Sequence, residues 1–121
     1  MKSLFIIFLF LSAGLFVHAA EINVYSHRHY DSDAVLFEKF TKETGIKVNI
    51  VKGSADQLIQ RLISEGKNSP ADVLLTVDAG RLHRAKEAGI LQPVKSKKLQ
   101  QNVPPSMSDP DGHWYGMTVR A

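Results

Sequence analysis

The 121-residue sequence contains no cysteine, which excludes a disulfide framework and any thiolate-held metal. Whatever holds a ligand must use oxygen and nitrogen. There is no basic run with interleaved aromatic residues, so no nucleic-acid partner is expected. Beyond residue 16 no apolar stretch approaches the length needed to span a membrane. The chain also lacks G-x-S-x-G, a Walker loop, H-E-x-x-H and any nucleophile set beside a base, so no catalytic activity is expected. It has neither an internal repeat nor a low-complexity linker.

What is present begins with a leader. Lys2 supplies a positive start, Leu4 to Phe16 is an apolar run broken only by Ser12 and Gly14, and Val17-His18-Ala19-Ala20 closes it. This is the pattern of a secretory signal peptide over residues 1–20, cleaved after Ala19 or Ala20, and preferred over an uncleaved anchor. The exported part, residues 21–121, is long enough for one small domain. Removing Lys2 leaves 14 basic against 12 acidic side chains, a net charge of +2.

The mature part alternates strand and helix patterns. Glu21 to Ser26 forms a first strand. A helix follows, capped by Asp31, Ser32 or Asp33, with Leu36, Phe37 and Phe40 on one face and Gly45 after its last turn. Ile46 to Val51 alternates as a half-buried strand. Ser54-Ala55-Asp56-Gln57 is a capping box opening a second helix with a buried stripe of Leu58, Ile59, Leu62 and Ile63, ended by Gly66. Ala71 to Val77 is a near-continuous apolar run, as in a strand covered on both faces. Asp78 starts a third helix that ends at Gly89; residues 96–101 allow a short helical turn, and residues 113–120 fit a fourth strand. This alternation implies a parallel sheet of order 2-1-3 with flanking helices. The carboxyl ends of strands one and three then lie side by side, bringing residues 26–33 near Thr76-Val77-Asp78.

Ligand chemistry is densest at Ser26-His27-Arg28-His29-Tyr30-Asp31-Ser32-Asp33, where a strand runs into a helix. Ligands in open α/β sheets bind at such carboxyl ends. Imidazole with a phenolate, and no thiolate, leans toward ferric iron, a cation charged enough to displace a phenol proton. From the loop alone, hydrogen bonding and packing remain the commoner roles for such residues, and Arg28 is equally an anion-binding residue or a solvated charge. His83 reads as a solvated helix residue, and His113 as packing beside Trp114 and Tyr115. Asp109-Pro110-Asp111-Gly112 reads as a turn, while Asp72 and Asp78 read as end caps.

Spaced stretches along the chain resemble the periplasmic ferric-iron-binding proteins, the solute-binding components of iron(III) ABC transporters. They are residues 24–30, Phe40 to Val48, Asn68 to Asp78, Ala88 to Pro93 and Asp111 to Gly116. The resemblance implies an α/β N-terminal lobe of the type II periplasmic-binding fold, with iron held between two lobes and the second lobe missing. Residues 113–121 would then be the strand crossing toward that lobe. It assigns His29 and Tyr30 as metal ligands. Some relatives place a carboxylate ligand after strand three, where this sequence has Val77, so the tyrosine-rich subclass is implied and Asp78 is not a substitute. It further implies periplasmic location, Fe(III) as bound ligand with a synergistic anion such as carbonate, an inner-membrane ABC permease as partner and a monomer when complete.

Two other readings stand beside this one. The first is a binding protein for an oxyanion or small organic anion, held by Arg28 and the backbone N–H groups of Ser54 or Asp78 at helix starts. The second is a zinc or copper hydrolase using His27 and His29.

Overall fold

The structure is a computed structural model and describes residues 19–28 and 30–119. Three parallel strands, β1 (Glu21–Ser26), β2 (Lys47–Lys52) and β3 (Val73–Leu75), form one sheet of order β2-β1-β3. Val24 pairs with Ile50 on one side and Val73 on the other, so β1 is the central strand. The helices are α1 (Asp31–Thr44), α2 (Ala55–Glu65), α3 (Ala79–Glu87) and α4 (Lys97–Asn102), with 3-10 turns at Gly66–Asn68 and Pro105–Met107. The expected sheet order is therefore present. No helix among the described residues is long and apolar enough to cross a membrane. The expected leader, residues 1–20, lies outside the described residues except for Ala19 and Ala20.

Strand order also fixes where the helices go. One right-handed crossover leads outward from β1 to β2 and the next returns over β1 to β3, which puts α1 and α2 on opposite faces. Side chains alternate along each strand, and Tyr25, Val51 and Leu74 pack with Leu58 and Leu62 of α2 into the core. Helix α2 also buries Ala55 and Ile59. Its capping box forms as expected: the Ser54 hydroxyl accepts from the Gln57 N–H, and the Gln57 side chain accepts from the Ser54 N–H. At its other end α1 stops where Gly45 takes a left-handed φ of 73°, a conformation costly for any residue with a Cβ.

The structure departs from the expected pattern in several places. Helix α1 buries none of its residues, and Leu36 is 62% exposed. Its N-cap is Tyr30, with no side-chain cap bond. Asp33, one of the expected caps, gives its carboxylate to Arg28 instead. Ile63 is exposed at the rim of α2, because Leu58, Ile59 and Leu62 already fill the side facing the sheet.

Strand β3 covers only Val73–Leu75, and Val73 is 44% exposed. It is an edge strand bonded to β1 alone among the described residues, and its Val73 face is left open. Residues 113–119 hold one isolated bridge, Ser108 with Tyr115, in place of a fourth strand. The local bonds fold this stretch back onto its own turn: Asp109 N–H donates to the Trp114 carbonyl and Gly116 N–H to that of Met107.

Candidate functional site

The loop after β1 is built by short-range bonds. The buried Ser26 hydroxyl accepts from the Arg28 N–H and donates to the Arg28 carbonyl, both at 3.1 Å, closing a tight turn. His27 is drawn to β3 through its backbone, with its N–H 2.9 Å from the Leu75 carbonyl oxygen. Its ring goes toward the loop before α2, where Nδ1 lies 3.3 Å from the Gly53 carbonyl oxygen. Arg28 donates from Nε and Nη2 to the two Asp33 carboxylate oxygens at 3.1 and 3.0 Å, and its guanidinium carbon sits 5.1 Å from the centre of the Tyr30 ring. Tyr30 is 48% exposed. His29, the other residue singled out as a metal ligand, lies outside the described residues.

An open groove of ≈ 1310 Å³ runs past the carboxyl ends of β1 and β3, lined among others by Arg28, Tyr30, Thr76, Val77, Asp78 and Trp114. The expected meeting of the first and third loops is thus present. Asp78 is committed within it: its carboxylate accepts from the Arg81 N–H at 2.8 Å, capping α3, and also pairs with the Arg81 guanidinium. The backbone N–H of Arg81, more than the guanidinium, holds this carboxyl below its ordinary range. A paired capping residue suits a structural role better than a ligand role.

Two of the three donors named for an anion are engaged. Ser54 N–H is taken by Gln57 and the Arg28 fork by Asp33. His27 does not line the groove, so it does not join Tyr30 there. His83 is exposed on α3, and Asp72 accepts from the Asn23 N–H at 2.8 Å, tying the start of β3 to β1.

Two networks went unseen in the residue pattern. Tyr25, fully buried, donates to Glu65, which also accepts from Arg61 at 2.6 Å and Ser69 at 2.7 Å, while Arg61 lies over the Tyr25 ring. The Ser69 hydrogen bond, then that of Arg61, pulls the Glu65 carboxyl down. Burial, then the bond to Glu65, pushes the Tyr25 phenol up.

The second network centres on the buried Asp109, whose neighbours in sequence had marked only a turn. It accepts from Lys86 Nζ at 2.7 Å and from the His113 backbone N–H, with the His113 ring at 3.0 Å; Lys86 also donates to Asp111 at 2.9 Å. Lys86 is the main reason the Asp109 carboxyl lies far below its ordinary range, and Asp109 the main reason Lys86 is raised. Asp109, Asp111 and His113 have the composition of a metal site, yet an ammonium already occupies the space between the carboxylates. In each network a basic residue more than twenty positions from one of its partners was the missing clue.

The sequence model of the family described as bacterial extracellular solute-binding protein matches residues 28–119. Iron uptake protein A1 of Synechocystis is 61% identical over 101 residues, covering 84% of this chain and 28% of that protein. The Fe(3+)-binding periplasmic protein of Serratia marcescens is 33% identical over 100 residues, covering 83% and 29%. Among solved structures, Trichodesmium FutA in complex with iron and citrate ligands superimposes with a TM-score of 0.78 at 56% identity, covering 80% of this chain and 31% of that one. The ferric binding protein from Campylobacter jejuni gives 0.79 at 45% identity, covering 80% and 31%. The chain thus spans less than a third of the length of these relatives.

Proposed function

The chain belongs to the bacterial extracellular solute-binding protein family, and on that premise we propose that it serves to capture ferric iron in the periplasm and deliver it to an inner-membrane ABC importer. The observation that carries the proposal is the position of Tyr30: half-exposed, at the carboxyl end of the central strand, on the groove that also receives Val77. A tyrosinate oxygen is a hard donor suited to a strongly charged cation. The Val77 side chain offers no oxygen and Asp78 is committed to Arg81; the resemblance to ferric-iron-binding proteins assigns Tyr30 and His29 as the ligands this loop brings. Two donors do not complete an octahedral ferric ion, so further ligands come from elsewhere in the full mature protein, with a synergistic anion such as carbonate. Binding then shifts the protein toward a closed form that excludes water. The protein acts as a monomeric carrier and catalyses nothing.

Engagement of the Ser54 N–H and the Arg28 fork speaks against a dedicated anion site on this loop. The test is to titrate the full mature protein with ferric citrate and, separately, with iron-free citrate and phosphate. Iron binding predicts a visible tyrosinate-to-iron charge-transfer band with ferric citrate. Tight binding of iron-free anions with no such band would replace this proposal by the anion reading.

A further inference from the structure

Tyr30 is placed by an unusually local device. Its carbonyl accepts from the Asp33 N–H at 3.0 Å, so the main chain ties residue 30 to the first turn of α1. On the side-chain level, Asp33 holds the Arg28 guanidinium by two parallel bonds, and that guanidinium lies against the Tyr30 ring. The Arg28 and Asp33 side chains are only 17% and 13% exposed, so the pair is largely removed from solvent screening. The Ser26 hydroxyl fixes the Arg28 backbone from the other side. Carboxylate, guanidinium and phenol ring are thereby linked in series, and the planar fork gives the middle member one orientation, which an ammonium would not.

Charge sharpens the point. An unpaired arginine beside a cation site would repel the cation, and here Asp33 cancels that charge. The arrangement keeps the flat cationic surface that stacks on Tyr30 while removing most of its long-range field.

We propose that Arg28 and Asp33 are positioning residues for the iron site, a clamp that holds the Tyr30 phenol in the groove before the metal arrives. This rests on the ferric-iron reading of Tyr30 given above. Residues that orient a metal ligand typically contribute about 10- to 100-fold in metal affinity.

The test uses the full mature protein and two readouts. In the iron-free protein with labelled tyrosine, NMR should show the Arg28 side chain stacked on the Tyr30 ring, and this stacking should disappear in Arg28→Lys and Asp33→Asn. Ferric affinity, measured by competition with citrate, should fall about 10- to 100-fold in Arg28→Lys, which keeps the charge, and also in both Arg28→Gln and Asp33→Asn. The last two change local charge in opposite directions. Opposite shifts in their iron affinities would mean that charge alone acts and would overturn the inference. So would unchanged affinity in an Arg28→Lys protein whose Tyr30 ring is no longer stacked. A wild-type protein that shows the stacking but takes no ferric ion would overturn the iron reading and with it the role of the pair in iron binding, leaving only the stacking itself.

Discussion

Helices α1 and α2 flank the same sheet and each carries apolar residues at helical spacing, more sharply segregated in α2, and they are held in different ways. Helix α2 buries Ala55, Leu58, Ile59 and Leu62 and is closed at its start by a complete capping box. Helix α1 buries nothing, starts without a side-chain cap bond and exposes Val35, Leu36 and Phe40 to differing degrees. An amphipathic pattern therefore specifies that a helix forms, whereas burial depends on what the rest of the fold brings against it. The consequence for the site is direct. The candidate iron loop runs into α1, the less packed helix, so its geometry depends on Ser26, Arg28 and Asp33 more than on a core.

The most demanding challenge to this contrast is a pair of truncations. Leu58→Ala, in the buried stripe, should lower unfolding free energy by about 2–5 kcal/mol. Leu36→Ala, on the open face of α1, should change it by no more than about 0.5 kcal/mol. Urea unfolding of both variants measures the difference, and equal losses would erase the distinction between the two faces.

A smaller effect tests the helix starts. Ser54→Ala removes a bonded cap and should cost about 1 kcal/mol. Ser32→Ala, at a start that lacks a side-chain cap bond, should cost a few tenths at most.

On the packed face, a modest loss comes from Tyr25→Phe. It removes one hydrogen bond to Glu65 but leaves those from Arg61 and Ser69, for roughly 0.5–1 kcal/mol by urea unfolding.

Acid provides a further comparison, because the carboxylates held low belong to the α2 and α3 side of the molecule. Glu65, Asp78 and Asp109 all titrate below their ordinary range in the folded protein. The unfolded chain therefore binds protons more readily, and the stability these groups lend is complete above the unfolded carboxylate range near pH ~4. It is lost as pH falls through the lower, folded values. Urea midpoints should stay level from neutral pH to about 5 and decline below about 4. In Asp109→Asn the decline should be shallower, from a lower starting stability.

Much of the fold was legible because it is local. Period-2 and helical patterns, the Ser54 box and Gly45 located the elements, and their alternation dictated the sheet order. Burial was legible for α2, whose Leu58, Ile59 and Leu62 are buried as expected, but not elsewhere: Leu36 and Phe40 look like core in sequence, and Val73 sits in an apolar run, yet each stays partly or largely exposed. The fourth strand did not form: residues 113–119 look extended, but Asp109, held by Lys86 of α3, fixes the start of the stretch through His113, and only Tyr115 makes a strand-type bridge. At the site, the sequence located the loop and its meeting with residues 76–78. It did not reveal that Arg28 would pair with Asp33 and lie on Tyr30, because sequence proximity in a non-helical loop implies no particular contact.

The central claim is that Tyr30 is a ferric ligand positioned by this loop, and its most direct measurement is a ferric citrate titration of full mature wild-type, Tyr30→Phe and Tyr25→Phe proteins by visible absorbance. The account predicts that Tyr30→Phe loses charge-transfer intensity and binds iron more weakly by at least about 10- to 100-fold, while Tyr25→Phe, whose hydroxyl is committed to Glu65, matches wild type. An undiminished band and unchanged affinity in Tyr30→Phe would contradict it.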